Sequence, residues 1–250
     1  MTNAEQPLPT HAASAHRLRV LVTGVEQLEG ASTARILAEA GCRVIAHSFT
    51  ADAADAVATE ITEAGGTAYP AVADLTIEAD VDRLFAGLEE RHGGIDSLIH
   101  TAWLPGPETA ANNLADIAPA DWGRFTYDHM AMLFLTTRRA AASMQHTSTT
   151  GTIVTVTGLG AGGAIDDTAT SPARDAINGA VESFTMTAAR DQTLDALCIN
   201  TIRLSRLSSA DVADALPPRL DELLPLLLVD RSIGSGHVIP AQPAYALVPS

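Results

Sequence analysis

Arg19-Val20-Leu21-Val22-Thr23-Gly24-Val25-Glu26-Gln27-Leu28-Glu29-Gly30 is the stretch on which the fold reading turns. Arg19 to Thr23 is an apolar run ending in Thr-Gly, the signature of a strand buried on both faces in a parallel sheet. A glycine-bounded turn follows. Helical spacing then runs from Ala31 to Ala40 and stops at Gly41. Strand, glycine turn and helix in this order open a β-α unit.

Working outward, the same unit repeats. Arg43 to His47, Ala68 to Ala73, Asp96 to Thr101, Thr152 to Thr157, Ala196 to Arg203 and His237 to Pro240 read as further strands. Helical patterns fall between them at Ala51–Ala64, Val81–Arg91, Asp121–Gln145 and Pro172–Arg190, with short helices near Ser209–Ala215 and Leu220–Val229. Alternation of this kind predicts one doubly wound α/β domain over residues 17–250, with ligands at the carboxyl ends of the parallel strands. Residues 1–16 are polar and rich in Ala, Pro and Thr. They read as a disordered tail rather than a secretory signal.

Composition narrows the function classes. The 250 residues carry a net charge of −15, which argues against a nucleic-acid partner. No apolar run approaches the ~20 residues of a membrane span, and a cytoplasmic protein is expected. Two cysteines, Cys42 and Cys198, are too few for a disulfide framework or a zinc cluster, and no metal site is expected. All basic residues are arginine; the chain has no lysine.

Several landmarks fall in order along the chain. They are Thr23-Gly24 with Gly30, Asp74-Leu75 after the third strand, Asp96-Ser97-Leu98-Ile99, Ala176-Ile177-Asn178-Gly179, Ile199-Asn200, and Gly236-His237-Val238-Ile239-Pro240. In this order and spacing the chain resembles the short-chain dehydrogenase/reductase (SDR) family from Arg17 to Pro240. The resemblance implies a Rossmann-type fold, a nicotinamide dinucleotide at the first loop, and a catalytic set of Asn, Ser, Tyr and Lys. It also implies a dimer or tetramer built on helices 121–145 and 172–190.

The departures are equally specific. Leu28 stands where the family has the middle glycine of the loop, the one that lets backbone approach the pyrophosphate. Glu26 adds a carboxylate there. His47-Ser48-Phe49 offers neither a clear ribose carboxylate nor a base for a 2′-phosphate. Asn-Asn-Ala-Gly has become His100-Thr101-Ala102-Trp103. The family's helix Asn corresponds to His129, its Tyr to Thr170 and its Lys to Arg174. Its Ser falls on Thr157 or Gly158, depending on the direction of counting. Leu204-Ser205 replaces the Pro-Gly after the sixth strand.

One branch of the family, the halohydrin dehalogenases, binds no nucleotide and uses Ser, Tyr and Arg. Thr23-x-x-x-x-Leu28-x-Gly30 and Ser171-Pro172-Ala173-Arg174 resemble its pattern, although Thr170 lacks the tyrosine of that chemistry.

Three functions remain in play. The favoured one is a redox-dead homologue, a scaffold or regulatory subunit, possible partner of an active relative. Gly24, Gly30 and Asp74 would then be relics of a cofactor site, with no cofactor expected. The second is a non-redox enzyme of small-molecule metabolism. It would use His129, Thr157, Thr170 and Arg174 for acid–base work, in a pocket formed by Leu28, His100, Trp103 and Leu204. The third is an unusual oxidoreductase that retains NAD(P). For each residue a structural role stands beside the functional one. His129 is either a base, oriented by Asp175 or paired with Thr157, or a packed histidine. Arg174 is an anion site or an ion-pair partner of Asp175 or Asp167. Trp103 stacks on a planar ligand or fills vacated volume. Asp74 caps the helix that follows it.

Overall fold

A computed structural model describes residues 18–104, 114–147, 150–158, 172–204 and 220–241. Seven strands form one parallel sheet: β1 (Arg19–Thr23), β2 (Arg43–Ser48), β3 (Thr67–Val72), β4 (Ser97–His100), β5 (Thr152–Thr157), β6 (Cys198–Leu204) and β7 (Val238–Ala241). Their spatial order is β3-β2-β1-β4-β5-β6-β7, and all six pairings are parallel. The chain reverses its direction of build between β1 and β4, and that switch point is where such sheets receive ligands.

Among the described residues six α-helices cover the sheet: α1 (Leu28–Glu39), α2 (Ala51–Glu63), α3 (Glu78–His92), α4 (Pro119–His146), α5 (Pro172–Ala188) and α6 (Leu220–Val229). Helix α2 buries Ala54, Val57, Ala58 and Ile61, a three-four spacing that makes one apolar stripe. Helix α3 buries Val81, Leu84, Phe85 and Leu88 for the same reason. Neighbours α3, α4 and α5 line one side and α2, α1 and α6 the other. Each strand therefore sends alternate residues into two cores. Val20, Val22, Val154 and Val156 join the core with α1, whereas Leu21, Ile45, Leu98 and Ile153 join the core with α3 and α4.

The lower end of the sheet is fastened by Asp96. Its carboxylate accepts the Arg19 backbone N–H at 2.8 Å and the Arg19 guanidinium at 2.9 and 2.6 Å, joining the start of β1 to the start of β4. Asn200 does the same near β7, donating to Gly234 O at 2.9 Å and accepting from His237 N at 2.9 Å. Two sequence landmarks are thus structural fasteners.

Some boundaries differ from the expected ones. Helix α1 begins at Leu28 rather than Ala31, and α3 at Glu78 rather than Val81, because Leu28-Glu29-Gly30 and Glu78-Ala79-Asp80 carry no apolar periodicity. The short helix expected at Ser209–Ala215 lies outside the described residues, as do residues 1–16.

Candidate functional site

The carboxyl ends of β1 and β4 are tied together at the switch point. Thr23 Oγ1 accepts the N–H groups of Thr101 at 3.2 Å and Ala102 at 3.1 Å. The same hydroxyl lies 3.3 Å from His100 Nδ1. Thr101 returns a hydrogen bond from its hydroxyl to Thr23 O. The two glycines of the first loop are needed for this closeness. Gly24 has φ +77°, and a Cβ there would lie 2.6 Å from Ala102 Cα; a Cβ on Gly30 would lie 2.2 Å from Gly24 O.

Leu28 is the first residue of α1 and is 55% exposed. Gln27 occupies the N-cap without capping through its side chain. Instead its Nε2 donates to the carbonyl oxygen of Trp103, bridging the β1–α1 loop to the segment after β4.

Trp103 is only 4% exposed. Its ring centroid lies 4.5 Å from His129 and 6.1 Å from Phe125, and those two rings are 4.2 Å apart. His129 spends both ring nitrogens on backbone. Nδ1–H donates to Phe125 O at 2.8 Å, and Nε2 accepts from Leu104 N at 3.1 Å. Neither Asp175 nor Thr157 is its partner, which corrects both pairings expected from the sequence. Burial pushes the His129 pKa down, and the positive charge of Arg174 pushes it the same way. Arg174 is half-buried in the first turn of α5. The structure therefore brings His129, Trp103 and Arg174 into one neighbourhood, but with the imidazole already bonded on both sides.

Thr157 belongs to a different set. It is fully buried at the end of β5 and donates to Glu182 Oε1 of α5 at 3.1 Å. Glu182 also receives the guanidinium of Arg203, with Arg203 Nε at 2.7 Å, and Arg203 is the strand partner of Thr157. That guanidinium holds the Glu182 carboxyl below its usual range. The neighbouring Gly158, φ +80°, donates its N–H to Asn178 Oδ1 at 3.1 Å, and a Cβ there would fall 2.1 Å from Leu204 O. Leu204 itself is buried at the end of β6. Thr170, Ser171 and Asp167 lie outside the described residues.

Asp74 caps no helix. Its carboxylate accepts Thr76 N at 2.9 Å and Thr76 Oγ1 at 2.6 Å in the turn before α3, whose N-cap is Ile77. This corrects the capping role expected for it. His100 and His47 are buried and neutral. Burial, then the nearby His47 and His129, hold His100 at about 3. Burial holds His47 at about 4, although it donates Nε2–H to Ala73 O at 3.1 Å. Among the described residues no three His, Cys, Asp or Glu side chains group as a metal site.

Sequence reasoning missed Gln27, Phe125, Glu182 and Arg203. Phe125 was within reach, being four residues before His129 on one helix. The others meet their partners only through the tertiary fold, and no local pattern marks them.

The site fits a dinucleotide in part. Gly24 and Gly30 keep the backbone form of a pyrophosphate cradle at the start of α1. Against it stand exposed Glu26, Glu29 in the first turn, and a His47 already bonded where ribose recognition would be.

The family model for short chain dehydrogenase matches residues 19–215. The chain belongs to the short-chain dehydrogenase/reductase family. Within this oxidoreductase family it is 32% identical over 176 residues to a cis-4-hydroxycyclohexanecarboxylate dehydrogenase of Sinomonas cyclohexanicum, covering 70% of this chain and 68% of that protein. It is 31% identical over 127 residues to dehydrogenase/reductase SDR family member 11 of Bos taurus, covering 50% and 48%. The chain thus spans about half the length of several curated SDR relatives it matches. Among solved SDR structures, a short-chain type dehydrogenase/reductase from Mycobacterium marinum superposes with TM-score 0.79 at 23% identity, over 95% of this chain and 99% of that one. A metagenomic short-chain oxidoreductase in complex with NADP superposes with TM-score 0.75 at 21% identity, over 93% of this chain and 100% of that one. These relatives give no support to the expectation of a cofactor-free SDR. Among the described residues no helix is long and apolar enough to cross a membrane.

Proposed function

We propose that this chain is an SDR homologue that does not transfer hydride and serves as a cytoplasmic structural or regulatory subunit. The observation that carries this reading is the fate of the hydroxyl at the end of β5. Thr157 gives its hydrogen to Glu182, and the adjacent Gly158 has no space for a side chain. A proton relay needs a hydroxyl free to face the reacting atoms. His129 is likewise committed to two backbone groups. The sequence adds the absence of lysine, with Arg174 in its place. Arginine stays protonated and cannot exchange a proton near neutral pH.

The test is turnover. The protein is mixed with NAD+, NADH, NADP+ or NADPH and a panel of alcohols and ketones, and the absorbance of reduced nicotinamide is followed. No rate above buffer is expected; turnover with any pair overturns the proposal.

A second reading is an unusual oxidoreductase that keeps its nucleotide. It is favoured by the close-packed Gly24 and Gly30 and by the relative solved in complex with NADP. Micromolar calorimetric binding of any of the four cofactors would favour it over the first.

The proposal includes a homodimer or homotetramer, or pairing with an active relative, through α4 and α5. Phe134 of α4 and Met186 of α5 are 48% and 38% exposed. Phe134 and Phe184 line a groove of about 790 Å³ between these helices. Apolar side chains grouped on two neighbouring helices are the mark of a surface that another chain covers.

A further inference from the structure

Two side chains from different elements hold one peptide group. The carbonyl of Trp103 accepts from Gln27 Nε2, and the N–H of Leu104, the other end of that peptide, donates to His129 Nε2 at 3.1 Å. Gln27 belongs to the first loop and His129 to α4. The place of this peptide gives the double hold its meaning. The first loop leaves β1 for α1 on one face of the sheet, and the segment after β4 leaves for α4 on the other. That divergence opens the crevice in which such a sheet receives a ligand. Thr23 joins the two strand ends at its floor, through the N–H groups of Thr101 and Ala102. Gln27 joins the two walls beyond that floor.

We propose that Gln27 is an autoinhibitory strap, which by its bond to Trp103 O holds the walls of the crevice together and keeps a dinucleotide out of the cradle of Gly24 and Gly30. His129 is the fixed post of this arrangement. Its Nδ1–H is given to Phe125 O at 2.8 Å, and a ring flip would break both of its bonds. The indole of Trp103 packs against His129 and Phe125, which steadies the same peptide. Gln27 is the movable end. Its backbone is set by the turn, with its N–H donating to Gly24 O at 3.1 Å, so only the half-buried side chain has to move. That side chain caps no helix and has Trp103 O as its acceptor. Its bond is between neutral groups and of a strength that an entering ligand can displace. A ligand that must first open the strap binds more weakly by the free energy of closure. The inference rests on the nucleotide fit that favours the unusual oxidoreductase, and not on whether hydride moves.

Calorimetry with NAD+, NADH, NADP+ and NADPH is run on the wild-type chain, Gln27→Met and Gln27→Ala. Methionine keeps the length of the side chain and removes the donor; alanine removes the bulk as well. Both variants are expected to bind at least one cofactor about tenfold more tightly than wild type, the worth of one hydrogen bond no longer displaced. Hydrogen exchange at the Leu104 amide, followed without cofactor, is expected to be slow in the wild type and faster in Gln27→Met, because freeing one end of the peptide loosens the other. Equal affinity in all three forms overturns the strap and leaves the nucleotide fit intact. Binding by none of them overturns the strap and the nucleotide fit together. A gain in Gln27→Ala alone assigns the effect to bulk and overturns the strap, as does unchanged exchange at Leu104 in Gln27→Met. Turnover by any form bears on the loss of hydride transfer alone.

Discussion

Thr157 at the end of β5 donates its hydroxyl hydrogen to Glu182 of α5 across 3.1 Å, and Glu182 is held in turn by Arg203. The Glu182 side chain is mostly buried while that of Arg203 is more than half exposed. The ion pair is therefore the smaller contribution and the buried hydroxyl the larger. Glu182→Ala is expected to cost about 2 kcal/mol, because Thr157 loses its acceptor in the interior. Glu182→Gln keeps an acceptor oxygen and is expected to cost under about 1 kcal/mol. Urea unfolding of the two variants measures the difference, and equal losses would show that the charge, not the hydroxyl, carries the interaction.

Acid is expected to weaken the fold well before its carboxylates titrate. Burial lowers the folded-state pKa of His129, of His47 to about 4 and of His100 to about 3. In the unfolded chain these imidazoles titrate near 6.5. Their contribution is complete above that pH. It is lost as pH falls from about 6.5 toward the folded values, because the unfolded state then binds more protons. The lowered carboxyls of Glu89 and Glu182 add losses only below about 4.5. The urea midpoint is expected to drop between pH 7 and pH 5, and His47→Gln to flatten that drop. A midpoint constant from pH 7 to pH 5 would contradict the buried neutral histidines.

Much of this was legible locally, and the limits have a physical source. The apolar runs at Arg19–Thr23 and Thr152–Thr157 coincide with β1 and β5, because a strand buried on both faces has no alternation to misread. The long helix at 121–145 lies inside α4. Periodicity tells which face of an element is buried but not what meets it there. So Gln27 with Trp103, 76 residues apart, and His129 with Leu104, 25 apart, could not be paired from the sequence. Leu28 shows the same limit. Its position in the loop pattern was readable, but its exposure depends on where α1 begins.

Gly30 and Gly123 make opposite predictions from the same substitution. A Cβ on Gly30 meets Gly24 O at 2.2 Å, and backbone cannot step aside cheaply. Gly30→Ala is expected to destabilise by several kcal/mol, on the order of 3, by pushing α1 away from the first loop. Gly123 lies within α4, with nothing within 4 Å of an added Cβ. Gly123→Ala is expected to stabilise by about 1 kcal/mol through helix propensity. Thermal unfolding of the pair decides, and a harmless Gly30→Ala would mean that the close approach of α1 to the first loop does not hold in solution.

Phe134 offers the sharpest test of assembly. It projects from α4 beside the groove shared with α5, and Arg138 one turn on lies 5.6 Å over its ring. A phenyl group left 48% exposed is well placed to become the buried centre of a self-complementary interface. Phe134→Asp keeps the helix, since the position is at its surface, and sets a carboxylate where the second copy would press. Sedimentation velocity is expected to show the wild-type chain as a dimer or tetramer and Phe134→Asp as a monomer with unchanged circular dichroism. A wild-type monomer at micromolar concentration would remove the self-association proposal. An oligomer indifferent to Phe134→Asp would move the interface off the α4–α5 face.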